Sequence, residues 1–277
     1  MLLLSLHTSA QNIETGVKAY EIGDYKAAMA ELDKVLAEPG KLKEKSLARA
    51  HYYRALARLT YVRKAHSNLE ATQMKQVRDL TVGAFEDMVA AKKNDVDGKM
   101  APDIESGNKR LVELLLELGR EANAIAQDPN KKQADKKDSY EDMIRYGNPI
   151  TVIDKFHYMG YVFLANGHIG LGDSSRALKN YHLADDWFFR SAPKDGDLDI
   201  AYTFIQIARI EWALNKNYDG AMKALEEGRK NLDAEHRKIE TLGGHTPTEK
   251  AALSRKFHDV GLDLDRAGSD LRLAAGK

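Results

Sequence analysis

The feature of this sequence that most constrains its fold is a spacing of small and large residues that occurs three times. In each copy an alanine is followed by a large side chain four residues later and by a smaller one three residues after that. The copies are Ala28, Leu32 and Val35; Ala177, Tyr181 and Ala184; and Ala221, Leu225 and Gly228. On an α-helix these positions share one face, where the small side chains let a neighbouring helix approach closely. The repetition predicts a stack of similar helical units, an architecture that most often serves as a binding scaffold.

The composition of the 277 residues agrees with a helical fold. Hydrophobic residues make up 43% of the chain, which is sufficient for the core of one large domain or two ordinary ones. There are 6 prolines, and no stretch combines β-branched residues with strict alternation of apolar and polar positions. We therefore expect a nearly all-α protein without a sheet.

The charge balance and the absence of cysteine restrict the partners and the chemistry. Lys and Arg together number 42, as do Asp and Glu, so the net charge is zero and gives no general attraction to a phosphate backbone. We expect no nucleic-acid partner. The lack of cysteine excludes disulfides, thiolate zinc sites and cysteine nucleophiles. No run of about twenty apolar residues occurs, so we expect no membrane span.

Residues 1–11 have the character of the end of a secretory signal. Met1 to Leu6 is apolar, and the small residues Thr8, Ser9 and Ala10 precede Gln11. The Ser-Ala-Gln ending is similar to signal ends common in Bacteroidetes. No Lys or Arg precedes the apolar stretch, so residues 1–11 are either the remnant of a signal peptide or the start of the first helix. The first interpretation predicts a periplasmic or cell-surface protein; a cytoplasmic protein is the alternative.

Helical periodicity and turn residues predict five helix pairs. Gly23-Asp24 and Gly172-Asp173 are typical of a break between two antiparallel helices, with Gly ending one helix and Asp capping the next. The third pair is predicted to end at Gly147-Asn148-Pro149. The predicted pairs are Asn12–Ile22 with Tyr25–Ala37, Leu42–His66 with Gln73–Lys93, Ile104–Asp128 with Ala134–Tyr146, Phe156–Leu171 with Ser175–Phe189, and Ala201–Leu214 with Tyr218–Ala234.

The repeated pattern resembles the tetratricopeptide repeat family across Asn12 to Glu235. That family has large and small residues at set positions of a first helix, a Gly-Asp-Tyr turn, and alanines around a large residue in the second. One copy consists of Tyr161, Leu164, Ala165, His168, Gly172, Ala177, Tyr181 and Ala184; another consists of Phe204, Ile207, Ala208, Trp212, Tyr218, Ala221, Leu225 and Gly228. The steps between copies exceed the family period of about 34 residues. The resemblance implies an α-solenoid of antiparallel helix pairs over residues 12–242.

The end of the chain, residues 243–277, is predicted to form a capping helix. Gly243 and Gly244 mark a hinge, and Thr246-Pro247-Thr248-Glu249 begins the helix. A stack of repeats needs a last helix that is apolar on one side only. The predicted buried stripe is Ala252, Phe257, Val260, Leu264, Ala267 and Leu271.

The sequence has no recognisable catalytic or metal-binding motif. It lacks a His-Glu-x-x-His zinc helix, a Gly-x-Ser-x-Gly nucleophile elbow and a phosphate-binding loop. Asp95, Asp97 and Gly98 match only part of a calcium loop, because Lys93 and Ile104 stand at its first and last ligand positions. We predict no catalytic residue, no metal and no cofactor.

The family resemblance implies that a partner binds along the inner faces of the first helices. The positions selected in this way are His51, Arg54, Arg58, Tyr61, Asn166, Tyr202 and Arg209. Arg and Asn can hold a peptide backbone or carboxylate, and Tyr supplies flat apolar area. Replacing Arg54 and Arg58 by Ala is then expected to weaken partner binding and to leave the thermal midpoint nearly unchanged. The alternative is that these are ordinary helix positions with salt-bridge partners.

Two functions agree with the sequence. The first is a non-enzymatic scaffold that binds a protein or peptide through the concave face of the solenoid. The second is a receptor for a small ligand or glycan, or an enzyme, with a pocket built from Trp187, Trp212 and nearby Tyr and Asp side chains. An open groove would favour the first function, and a deep pocket with converging carboxylates and aromatic rings would favour the second.

Overall fold

The structure, a computed structural model, describes residues 13–66, 74–188, 198–241 and 246–277. Within these ranges every regular element is a helix, so the all-α prediction is confirmed. Several predicted features lie outside the described residues: the signal remnant at 1–11, most of the connection between the helices of the second pair, and the Gly243-Gly244 hinge. The contacts divide the chain into an N-terminal unit that ends at Leu118 and a C-terminal unit that begins at Gly119.

The N-terminal unit is a series of helices that pack in chain order. They are α1 (residues 13–21), α2 (Tyr25–Leu36), α3 (Glu44–His66), α4 (Met74–Asn94) and the first two thirds of α5 (Ala101–Gln127). A short 3-10 helix, Pro39–Lys41, precedes α3. The predicted break between α1 and α2 is confirmed: Gly23 has a φ of 86°, and the Asp24 side chain accepts a hydrogen bond from the Ala27 amide at 3.0 Å.

Helix α3 is surrounded by the other helices of this unit. Arg49 pairs with Glu14 of α1, and Arg54 donates to Asp33 of α2. Arg58 donates to α4, and the Thr60 hydroxyl lies 3.4 Å from the guanidinium of α5 residue Arg110. Contacts on all sides explain why few α3 side chains are exposed.

The C-terminal unit continues the same packing scheme. After the last turns of α5 come α6 (Gln133–Ile153), α7 (Tyr158–Gly170), α8 (Ser174–Phe188), α9 (Asp199–Asn215), α10 (Tyr218–Thr241) and α11 (Pro247–Ala274). From α6 onward, each helix packs on the next, and α11 also contacts α9. The turn of Leu171, Gly172 and Asp173 reverses the chain between α7 and α8, with Gly172 at a φ of 85°.

The alanines that motivated the repeat prediction lie at helix interfaces. Ala28 and Ala84 of the N-terminal unit and Ala177 and Ala221 of the C-terminal unit are each 0% exposed. The close helix packing predicted from their spacing is therefore confirmed. Both units consist of successive helix hairpins of the kind that the family resemblance implies.

The predicted end of the sixth helix at Gly147 is wrong, because α6 continues through Pro149 to Ile153. Tyr146, Pro149 and Ile150 are all buried, so packing favours continuation of the helix. A side chain at Gly147 would place its Cβ 2.7 Å from the Gly160 carbonyl oxygen of α7. Gly147 here permits a close helix contact, and the buried Pro149 is accommodated within the helix instead of ending it. Tertiary packing therefore overrides the local signals.

Helix α11 begins where the sequence predicted. The Thr246 side chain accepts from the Glu249 amide while the Glu249 carboxylate accepts from the Thr246 amide, which forms a capping box. The predicted stripe is buried except for Ala252, which is exposed and marks the start of the helix as lying outside the core. The buried residues are Phe257, Val260, Gly261, Leu264, Ala267, Gly268 and Leu271.

Candidate functional site

The predicted binding residues of the N-terminal unit converge on a buried carboxylate. Asp87 of α4 is 1% exposed and faces α3. We call this group the Asp87 cluster; it comprises Asp33, His51, Arg54, Arg58 and Asp87. A buried carboxylate requires ionic partners to offset its loss of hydration, and α3 supplies them at positions one and two turns apart.

Five polar contacts hold the Asp87 cluster together. The Asp87 carboxylate lies 2.8 Å from His51 Nδ1 and accepts two hydrogen bonds from Arg54, at 2.9 and 2.7 Å. Arg58 donates to the same carboxylate at 2.8 Å, and a further bond from Arg54 reaches Asp33 at 2.6 Å. The cluster therefore ties α2, α3 and α4 together.

The pKa of Asp87 reflects two opposing effects. Burial by itself would raise this pKa, but the hydrogen bonds from His51 and Arg54 and the positive charge of Arg58 outweigh burial and lower it below 3.8. Asp87 is therefore ionised at neutral pH. The two arginines neutralise it and Asp33, so the cluster is a structural ion-pair network.

This geometry corrects the expectation that Arg54 and Arg58 can be removed without cost. Their side chains are only 16% and 18% exposed, because they are directed at Asp87. Their removal would leave a buried carboxylate with fewer cations. Tyr61, the fourth predicted residue of this unit, is half-buried, with the Lys26 ammonium 5.4 Å from its ring centroid.

The C-terminal unit has an open cavity of about 440 Å³ between helices. We call it the α5–α7–α9 groove. Its polar lining is dominated by amides and hydroxyls, and its apolar lining comes from the first half of α7. The lining residues are Arg120, Asn123, Gln127, Met159, Val162, Phe163, Asn166, Tyr181, Tyr202, Thr203 and Gln206.

Helical spacing places these side chains along the groove. Arg120, Asn123 and Gln127 follow one another at three and four residues on α5, so they form a row on one face. Gly119 lets α5 approach α7, because a Cβ at this position would lie 2.3 Å from the Phe163 ring. The apolar side chains of α7, which we call the apolar floor, are therefore adjacent to this polar row of α5.

Asn166, a predicted binding residue, lines the groove. It donates from Nδ2 to the Asn123 Oδ1 at 3.1 Å, and its own Oδ1 accepts from the Tyr181 hydroxyl at 2.6 Å. Tyr181 itself is 1% exposed. These bonds connect α5, α7 and α8, so the amide of Asn166 is held in one orientation.

The two predicted residues of α9 differ in position. Tyr202 lines the groove, is 44% exposed, and its hydroxyl lies 3.4 Å from Asp263 Oδ2 of α11. Arg209, two turns further along α9, is exposed and does not line the cavity. The structure thus brings together Asn166 and Tyr202 and leaves Arg209 apart from them.

The described lining of the groove lacks the acid–base groups that the enzyme interpretation requires. No Asp or Glu is among the described residues that line it. In the part of the chain that the structure describes, no three His, Asp or Glu side chains are grouped closely enough to hold a metal ion. Trp187 and Trp212 are half-buried and lie outside this lining. The Phe156 ring packs against Trp187 in a tilted arrangement, with ring centroids 4.7 Å apart and an interplanar angle of 59°.

Sequence reasoning missed the residues that define both sites. Asp87 was overlooked although it lies on α4 three residues after the fully buried Ala84, at a position where a carboxylate requires a cation. Arg120, Asn123 and Gln127 were overlooked because their helix has the weakest resemblance to the repeat pattern. Their spacing of three and four residues was the available signal.

No helix in the described ranges combines the length and apolar character that a membrane crossing needs.

No family model matches the sequence, and no curated protein matches it either. Among the solved structures that are similar to the chain are two with 14% identity each.

One of these structures is a tetratricopeptide repeat protein of Thermus thermophilus; the TM-score is 0.30, with 92% of this chain and 99% of that chain covered. The other is the assembly chaperone of RpL4, with a TM-score of 0.37 and coverage of 95% and 86%. At these TM-scores the whole structures do not superpose closely. Within this chain, successive helices pack on one another through fully buried alanines, which shows an all-α fold of helix pairs.

Proposed function

We propose that the protein is a non-enzymatic interaction module that binds an extended segment of a partner protein in the α5–α7–α9 groove. The observation that carries the proposal is the composition of the groove lining. Amide side chains, among them Asn123, Asn166 and Gln206, stand around an apolar floor that includes Met159 and Phe163.

Amide side chains suit a peptide backbone for a chemical reason. Each amide has donors and an acceptor, and an extended peptide presents both N–H and C=O groups along its length. A groove that offers both kinds of group can replace the hydrogen bonds that the peptide makes with water. The apolar floor then adds favourable burial of the peptide's side chains.

The positions of the lining residues on helices also favour binding. Asn166 is already fixed by two hydrogen bonds, and Phe163 and Met159 are buried. Little side-chain entropy is lost when such groups receive a ligand, so more of the interaction energy appears as affinity.

A small polar ligand is the second candidate, because the cavity volume of about 440 Å³ falls within the range of small-molecule pockets. The lack of carboxylates among the described lining residues argues for binding without catalysis in that case as well. The two candidates differ in the number of lining residues that they need. A peptide must contact residues along the whole groove, whereas a small ligand needs only those around one point.

The test is a peptide-display selection on the purified full chain, followed by fluorescence anisotropy with the selected peptide. The groove variant Gln127→Ala with Gln206→Ala removes one amide that α5 contributes to the lining and one that α9 contributes. The control variant Gln76→Ala with Gln133→Ala removes two exposed amides elsewhere. We expect the groove variant to lose about tenfold or more in affinity, and the control variant to bind as the wild type does.

A selected peptide that binds the groove variant and the wild type equally would contradict this assignment. Failure of selection, together with stabilisation of the chain by a small polar ligand in a thermal-shift screen, would support the second candidate instead.

The location of the protein in the cell belongs to the same proposal. We propose that the scaffold acts outside the cytoplasm, on the basis of the signal-like character of residues 1–11. Fractionation of the native organism and amino-terminal sequencing of the purified protein test this; a cytoplasmic protein that retains Met1 would contradict it.

A further inference from the structure

A chain of three side chains leads from the interior of the C-terminal unit to the groove. The Tyr181 hydroxyl donates to the Asn166 oxygen, and the Asn166 nitrogen donates to the Asn123 oxygen. Tyr181 lies on α8; it is 1% exposed and lines the groove together with Asn166 and Asn123. We call these three residues the amide relay.

The distances in the amide relay agree with this direction of donation. The contact from Tyr181 to Asn166 is 2.6 Å, which is typical of O–H···O, and the contact from Asn166 to Asn123 is 3.1 Å, which is typical of N–H···O. With the Asn166 amide turned over, a nitrogen would occupy the short contact and two oxygens would face each other in the long one.

The surroundings of Tyr181 keep its hydroxyl proton in place. Burial raises the pKa of Tyr181 above its ordinary value of 10.0, so the side chain stays neutral and able to donate at any physiological pH. The donor at the inner end of the relay is therefore constant.

We infer that Tyr181 is a positioning residue that sets the hydrogen-bonding polarity of the α5–α7–α9 groove. The Tyr181 hydroxyl holds the Asn166 Oδ1 toward itself, so Asn166 Nδ2 is directed at Asn123. Asn166 Nδ2 then donates to Asn123 Oδ1. Because the oxygen of Asn123 accepts from Asn166, the N–H donors of Asn123 remain for a ligand in the groove, which Arg120 also lines. The ligand at this point of the groove presents an oxygen acceptor, which in the proposed function is a backbone carbonyl.

The nature of the ligand rests on the proposed function, whereas the orientation of the two amides does not. One experiment can therefore test the orientation and the binding by separate readouts. The first is the side-chain amide NMR signals and proton exchange of Asn123 and Asn166 in the ligand-free full chain. The second is the affinity of the peptide obtained by display.

Two variants change the relay in different ways. Tyr181→Phe removes the donor and allows the Asn166 amide to adopt either orientation. Asn166→Asp keeps an acceptor for Tyr181 but has no N–H for Asn123, so the Asn123 amide must turn and donate inward. Tyr218→Phe removes a tyrosine hydroxyl from a half-buried position on α10 and serves as the control.

We expect Asn166→Asp to slow the exchange of one Asn123 side-chain proton and Tyr181→Phe to shift the signals of both amides. Peptide affinity should fall about 3- to 10-fold in each, and Tyr218→Phe should leave signals and affinity unchanged. Unchanged Asn123 signals in Asn166→Asp and Tyr181→Phe would overturn the inference. If the signals respond as expected while the wild type binds no displayed peptide, the relay stands and the proposed function fails.

Discussion

Polar residues that were predicted to bind a partner have opposite environments in the two units. In the N-terminal unit, His51, Arg54 and Arg58 follow the inner-face spacing of α3 and are directed at the buried Asp87. In the C-terminal unit, Asn166 and Tyr202 have the equivalent predicted role and line an open cavity. Position on a helical face is therefore insufficient to identify a binding residue, because the neighbouring helix decides whether that face is open.

The physical difference lies in what faces each helix. Helix α3 has polar contacts to four other helices, and one of them, α4, contributes a buried carboxylate that needs cations. Helices α7 and α9 contribute amides and apolar side chains to the groove, and none of the lining residues that the structure describes is a carboxylate. Polar groups in the first case stabilise the fold, and in the second they remain able to bind a ligand.

The largest expected effect tests the structural role of the Asp87 cluster. Arg54→Ala combined with Arg58→Ala should lower the free energy of unfolding by about 3–5 kcal/mol, because a buried carboxylate loses most of its compensating charge. Urea denaturation followed by circular dichroism measures this. The control is Arg176→Ala with Arg209→Ala in the C-terminal unit, where both side chains are exposed and the change should stay within about 0.5 kcal/mol. Equal effects of the two double variants would remove the contrast between the units.

The second prediction concerns what the units share. Ala28→Leu in one unit and Ala177→Leu in the other should each cost about 1–3 kcal/mol, because both alanines are 0% exposed at a close helix contact. The thermal midpoint is the measurement. Ala252→Leu, at an exposed position of α11, is the matched control and should leave the midpoint nearly unchanged. A neutral Ala177→Leu would show that its helix interface has room that the structure does not indicate.

The pH dependence of stability should have opposite signs for one carboxyl of each unit. The lowered pKa of Asp87 means that its stabilising contribution is present above pH 3.8 and is lost as the pH falls through the folded-state value. Burial, with the charge of Asp186 adding to it, raises the pKa of Asp185. The ionised form of Asp185 therefore lowers the free energy of unfolding at neutral pH. This cost disappears as the pH falls through the folded-state pKa toward 3.8.

Asp87→Asn and Asp185→Asn separate these contributions. At pH 7 the first variant should be less stable than the wild type and the second slightly more stable. The first difference should persist at pH 4 and shrink only at more acidic pH, whereas the second should already be smaller at pH 4. Thermal melts across this range are the measurement, and parallel pH profiles for both variants would contradict the assignment.

The smallest expected effect tests whether the binding surface extends along α9 beyond the groove. Arg209→Ala should change the free energy of unfolding by less than about 0.5 kcal/mol, because the side chain is exposed. If the ligand is confined to the cavity, the affinity of the displayed peptide should also stay unchanged. A clear loss of affinity would show that the binding surface continues along α9 beyond Gln206.

Much of the fold was predictable because it follows from local patterns. Gly23 and Gly172 mark the turns, Thr246 and Glu249 cap the last helix, and the repeated alanines mark the interfaces. The end of α6 was not predictable from such signals. Gly147 and Pro149 are ordinary helix terminators in sequence, and only their packing against α7 reverses that interpretation.

The sequence by itself determined the helices, their order and the small residues through which they pack, because these depend on periodicity and on residues close together in the chain. Only the tertiary structure decided that Arg54 and Arg58 compensate Asp87, and that Arg120, Asn123 and Asn166 share one groove. The reason is that exposure and ion pairing depend on which side chain of another helix stands opposite, and the spacing within one helix carries no information about that neighbour.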